Sequence, residues 1–196
     1  MEWYGITDKI PKVIRFTCCS PEAWKIKAIA ELQARWQESY KTRFIPIYPK
    51  SIQIEHEQLL ITSETHYSEP IQIKNSPLRV ASIGRTFIDM LRKPEFCGGE
   101  EHVLEVYQEQ GVKYAKLIIQ ALQKEGTAID KARVGFVLDK ILGFKNSQLT
   151  EWKNESQQVR GSSKKLIYSN ELSKVFDEDW SLNINSELAQ QYVAKS

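Results

Sequence analysis

Residues 80–101 read V-A-S-I-G-R-T-F-I-D-M-L-R-K-P-E-F-C-G-G-E-E, and no other stretch limits the possible folds so tightly. A strand end passes into a short helix whose apolar face is Phe87, Ile88 and Leu91. Pro94 stops that helix because it has no amide hydrogen to give. Gly98 and Gly99 then supply backbone freedom for a hinge before two acids, Glu100 and Glu101, open the next helix at the end of the dipole that favours them. The patterning before this segment is mostly strand-like and after it mostly helical. The fold class expected is therefore α+β: a small, mostly antiparallel sheet with a helix in residues 1–82, a helical half in 83–196, and a short C-terminal strand returning to the core. With no repeat, low-complexity block or linker, the chain reads as a single domain of these two halves.

In the first half, a polar turn at 5–11 precedes a strand at 12–18, K-V-I-R-F-T-C. Ser20-Pro21-Glu22 is a helix start, with a capping hydroxyl, a proline where no amide is needed and an early acid. That helix is expected to run to residue 39. Strands follow at 43–48, with Pro46 marking an edge, and at 52–54, 58–62, 71–74 and 78–81. In the second half the apolar period predicts helices at 83–93, 100–109 and 113–124, the last with Tyr114, Leu117, Ile118, Ala121 and Leu122 buried. Thr127 and Asp130 form an acidic capping box for a helix over 128–142 that Gly143 ends. A weakly amphipathic helix follows at 147–157. D-W-S-L-N-I-N at 179–185 reads as the returning strand, and 187–194 as a last short helix.

Of the 196 residues, 41% are apolar and 27% charged, the balance of an ordinary globular chain. No apolar run approaches a membrane span and the N-terminus lacks the pattern of a signal peptide, so the expected location is the cytoplasm. Cys18, Cys19 and Cys97 are odd in number and read as free thiols. His56, His66 and His102 are scattered, so no metal and no cofactor are assigned. A net charge of +2 leaves any nucleic-acid contact to local patches.

Three constellations are candidates for function. Arg85 and Asp89, four apart, are neighbours on a helix; they read as a structural clamp, with partner binding and catalysis as alternatives. Glu55, Glu57, Glu69 and Lys74 lie on or near strands, where two acids and a lysine would suit a metal-dependent, restriction-type nuclease, against the simpler reading of a solvated sheet edge. Basic clusters at Lys9, Lys12 and Arg15, at Lys41, Arg43 and Lys50, and at Arg160, Lys164 and Lys165 are candidates for phosphate contact.

Four separated motifs, Y-G-I-T-D-K-I-P at the start, R-T-F-I-D-M-L-R-K-P-E-F-C-G-G-E-E in the centre, R-V-G-F-V-L-D-K-I-L-G at 133–143 and W-S-L-N-I-N at 180–185, together resemble AbiEi-type antitoxins. The resemblance spans nearly the whole chain. It implies the non-enzymatic antitoxin and transcriptional regulator of a bacterial type IV, abortive-infection toxin–antitoxin system. The partner implied is a nucleotidyltransferase-like toxin, countered without a stable complex, and operator DNA is a second. The family places a winged helix before the segment where this resemblance begins, so the expected domain is the C-terminal antitoxin domain without it. Arg85, Thr86, Asp89, Pro94, Gly98 and Gly99 fall on the central motif and Arg133 and Gly135 on the later helix. The resemblance implies that these eight define the fold or face a partner. The alternatives are the nuclease and a stand-alone nucleic-acid-binding module.

Overall fold

The computed structural model of the chain describes residues 4–7, 13–19, 51–54, 57–64, 70–74, 79–158 and 164–193. The expected helix over 20–39 and strand over 43–48 lie outside these residues. The chain divides into two compact units, one comprising residues 10–68 and the other residues 1–9 with 69–196.

In the unit of residues 10–68, strand β1 (Val13–Cys19), β2 (Ser51–Ile54) and β3 (Glu57–Glu64) form one sheet in the order β1-β3-β2. β2 and β3 are antiparallel, with Ile52 opposite Leu59. β1 runs parallel to β3, with Val13 opposite Gln58 and Cys19 opposite Glu64. The sheet is thus mixed, with one parallel and one antiparallel pairing.

The other unit carries the helices. β4 (Ile71–Gln72) and β5 (Arg79–Val80) form an antiparallel pair that leads into α1 (Ile83–Arg92). The Ser82 hydroxyl caps α1 by accepting from the Arg85 amide at 3.2 Å. Phe87, Ile88, Met90 and Leu91 of α1 are buried. Pro94 ends the helix as expected, opening a single 3₁₀ turn over Pro94–Phe96. Gly98 and Gly99 follow at φ +89 and +92, a region costly for residues with a Cβ.

α2 (Glu100–Glu125) is one helix of 26 residues, where two were expected with a break near Gly111. A glycine inside a helix costs about 1 kcal/mol relative to alanine. In the fold Gly111 makes room instead: a Cβ would sit 2.7 Å from Leu142 Cδ1. The buried stripe of α2 also differs from expectation. Ile118, Ala121 and Leu122 are buried as predicted, but Tyr114 is half-buried and Leu117 exposed, while Ala115 and Ile119 turn inward.

α3 (Ala128–Phe136) begins with the predicted capping box, the Thr127 hydroxyl accepting from the Asp130 amide and the Asp130 carboxylate from the Thr127 amide. It continues into a π-helical turn at Val137–Ile141, and Gly143, at φ +63, ends it. α4 (Ser147–Gln158) buries Leu149 and Trp152.

The chain end returns to the core as expected. β6 (Phe176–Asp177) pairs antiparallel with β7 (Leu182–Asn183), and Trp180, Leu182 and Ile184 are fully buried. Trp180 sits in the turn before β7 and not in the strand itself. α5 (Glu187–Val193) closes the described residues. The fold is α+β, with a helical C-terminal half and a short C-terminal strand pair. None of its described helices is long and apolar enough to cross a membrane.

Candidate functional site

The central motif builds a ladder of charges on one side of α1. Arg85 is only 2% exposed, and its Nε donates to both carboxylate oxygens of Asp89 at 2.9 Å while Nη1 donates to Glu125 Oε2 at 3.0 Å. The pair expected from i,i+4 spacing is therefore made, and it gains a second acid from the far end of α2. Arg92 extends the ladder, donating from Nη1 to Asp89 at 3.3 Å and gripping Asp130 through Nε at 2.9 Å and Nη2 at 2.7 Å. This fork-to-carboxylate geometry is the strong, directional form of the ion pair. Asp130 thus caps α3 and ties α3 to α1. Burial pushes its carboxyl upward, but hydrogen bonds from Arg92 and Thr127 outweigh that and hold it below the ordinary aspartate range.

Thr86 donates its hydroxyl back to the Ser82 carbonyl at 3.0 Å. Pro94 is buried, Gly98 exposed and Gly99 half-buried at the N-terminus of α2. At Gly98 a Cβ would lie 2.9 Å from the His102 ring. His102 in turn holds Thr7 Oγ1 at 2.7 Å, linking the opening segment to α2. Gly84, just before Arg85, lets α1 approach α2 closely, since a Cβ there would run into the Leu117 main-chain carbonyl.

The later motif forms a second centre. Gly135 packs against the Trp180 ring, where any Cβ would collide with the indole. Arg133 is 7% exposed, and its Nε donates to the Lys165 carbonyl at 2.8 Å. That bond brings two sets of sequence-predicted residues together, the family-motif Arg133 and the basic Lys164-Lys165 pair. Burial lowers the Arg133 guanidinium below its ordinary value, the nearby Asp130 charge opposing this and that of Arg92 adding to it. Lys165 directs Nζ to the Asn170 carbonyl at 2.9 Å.

A third network was not anticipated from the sequence. Asp139, on the π-helical turn, accepts from Lys145 Nζ at 2.7 Å, Lys153 Nζ at 3.2 Å and the Trp180 indole Nε1 at 3.2 Å. Lys153 and Lys140 also meet Asp179, at 2.7 and 2.8 Å. Burial raises the Asp139 carboxyl, yet the lysine and indole hydrogen bonds leave it below the usual range. Asp177, which accepts the Trp180 amide at 2.8 Å, is instead raised, chiefly by burial. Lys140 and Asp139 on the π-helical turn, Lys145 in the loop after it, Lys153 on α4 and Asp179 in the turn before β7 carry no local signature, so only the tertiary fold assembles them. Asn183 and Asn185 were missed for another reason. Each substitutes its amide for a strand neighbour, Asn185 bonding Ile167 N at 2.9 Å and Ile167 O at 2.8 Å, and Asn183 bonding Ser173 N at 2.9 Å and Ser173 O at 2.8 Å.

Lys9, Lys12 and Arg160 lie outside the described residues, as do Lys41, Arg43, Lys50, Glu55 and Glu69. Arg15 is placed in β1, opposite Leu60. Lys74 is exposed. Among the described residues no group of three His, Cys, Asp or Glu side chains could hold a metal ion. Cys97 is half-buried. No family model, curated protein or solved structure matches the chain.

Proposed function

We propose that this protein is the antitoxin of a bacterial type IV, AbiE-like toxin–antitoxin system, acting in the cytoplasm by binding and regulation and not by catalysis. It counters a nucleotidyltransferase-like toxin without holding it in a stable complex, and it contributes to repression of its own operator. The observation that carries this reading is the meeting, in one core, of described residues from all four motifs. Tyr4 of the opening motif donates its hydroxyl to the Ala81 carbonyl at 2.6 Å, just ahead of the central motif, and Ile6 is buried. The 133–143 motif closes on the last one through Gly135 and Trp180. Described residues of motifs running from Tyr4 to Asn185 thus pack together, as a shared fold would require.

The test is co-expression in a bacterial host with the cognate nucleotidyltransferase-like toxin. Growth arrested by the toxin alone is restored by the wild-type chain. Failure to restore growth at matched, soluble expression refutes the reading.

A further inference from the structure

We infer that the Arg133 guanidinium, together with the Lys164-Lys165 segment on which it rests, is a binding site for a phosphate-class oxyanion. The inference stands on the geometry around Arg133 and does not depend on the antitoxin reading.

Arg133 is more than nine-tenths buried, yet its one hydrogen bond among the described residues runs from Nε to the neutral Lys165 carbonyl at 2.8 Å. No described carboxylate lies within ion-pair distance of it. Its charge is thus met inside the protein by a neutral acceptor alone, and arginine does not give up its proton to relieve this. The neighbouring arginines show how this chain otherwise handles such a charge, with two acids around Arg85 and a bidentate grip between Arg92 and Asp130.

Among the described residues no fully buried side-chain nitrogen or oxygen lacks a hydrogen-bond partner. The Nη1 and Nη2 groups of Arg133 have none, so they must reach the solvent boundary. The Lys165 carbonyl fixes the fork through Nε, and the outer edge, with its paired N–H groups, is left for an acceptor that comes from outside. That edge matches two oxygens of a phosphate or phosphodiester group. The support beneath it is firm. Lys164 and Lys165 are tied to Asn183, whose amide donates to the Lys164 carbonyl at 2.7 Å and whose carbonyl accepts the Leu166 amide at 2.9 Å. Lys165 itself directs Nζ to the Asn170 carbonyl and over the Tyr168 ring. The oxyanion could come from a nucleic-acid backbone or from a free phosphate compound, and the recognition chemistry is the same.

The experiment uses the whole chain and measures thermal stability against inorganic phosphate, with chloride at matched ionic strength as the control. Saturable stabilisation by phosphate is expected, and Arg133→Met and Arg133→Lys each weaken it by about tenfold or more, the loss of one bidentate charge-assisted contact. Lys164→Ala and Lys165→Ala are expected to weaken it less. The site is refuted if phosphate gives no saturable effect, if Arg133→Met binds as wild type does, or if the lysine variants alone abolish binding. Should both Arg133 variants fail to fold, the Arg133 Nε–H resonance of the wild type decides: it moves with phosphate occupancy, and its indifference refutes the site. Competition by a short DNA duplex then identifies the source. A duplex that displaces phosphate, with affinity falling about tenfold in Arg133→Met, points to a nucleic-acid backbone; phosphate binding undisturbed by the duplex points to a free phosphate compound.

Discussion

Arg85 on α1 and Arg133 on α3 are almost equally buried, at 2% and 7% exposure, and each stands within two residues of a glycine that lets its helix pack closely. Their surroundings are opposite. Arg85 is neutralised by Asp89 and Glu125 and belongs to a ladder that reaches Arg92 and Asp130, whereas Arg133 meets a single backbone carbonyl. The difference separates two uses of a buried cation. Where acids converge on it, the charge locks elements together, and removing it leaves those acids stranded. Where none does, removal strands no acid and leaves only the Lys165 carbonyl without its donor.

The contrast is sharpest in its largest expected effect. Arg85→Met should cost about 3–4 kcal/mol, because breaking a buried ion pair from one side leaves its partners uncompensated. Urea unfolding with an unchanged slope and a lowered midpoint measures this, and a loss under about 1 kcal/mol would mean the ladder is ornamental. Gly84→Ala comes next, at about 3 kcal/mol, since the added methyl meets the Leu117 main chain and the helices must part; Gly135→Ala, which meets the Trp180 side chain, should cost about 2 kcal/mol. Equal melting temperatures for the two variants would contradict this ordering.

Acid should act on the paired region and spare Arg133. Asp130 and Asp139 are held below their ordinary pKa in the fold. Their stabilisation is complete above the unfolded value near pH 3.9 and is lost as pH falls through the lower folded values. Asp177 is raised and works the other way, costing stability at neutral pH and regaining it on protonation. Unfolding free energy followed against pH should therefore drop below about pH 4, and Asp130→Asn should blunt the drop. The smallest effect belongs to Arg133→Met, which should cost about 1 kcal/mol, because no acid is orphaned and only the Lys165 carbonyl loses its donor. A loss comparable to that of Arg85→Met would abolish the distinction.

The local signals were legible in the residues themselves. The Pro94 stop, the Thr127/Asp130 capping box, the Gly143 terminus and the Arg85/Asp89 pair all depend on neighbours within a few positions, and each is in place. What could not be read depends on distance. Glu125 joins Arg85 across 40 positions, Asp139 finds Trp180 across 41, and Gly111 makes room for Leu142 within a helix that its own propensity would break. Arg133 illustrates the limit best. Its position in a motif was visible, but the absence of a described acid beside it emerges only from the packing.

The unbroken α2 has a mechanical consequence. Twenty-six residues at 1.5 Å each make a rod about 39 Å long. At one end Glu100 holds Asn170 at 2.7 Å, and at the other Glu125 holds Arg85. A rod pinned at both ends transmits a displacement from either one, so the opening glycine hinge and the arginine ladder cannot be loosened independently. A protease nick midway along that rod should therefore uncouple the two fastenings, each staying with its own half.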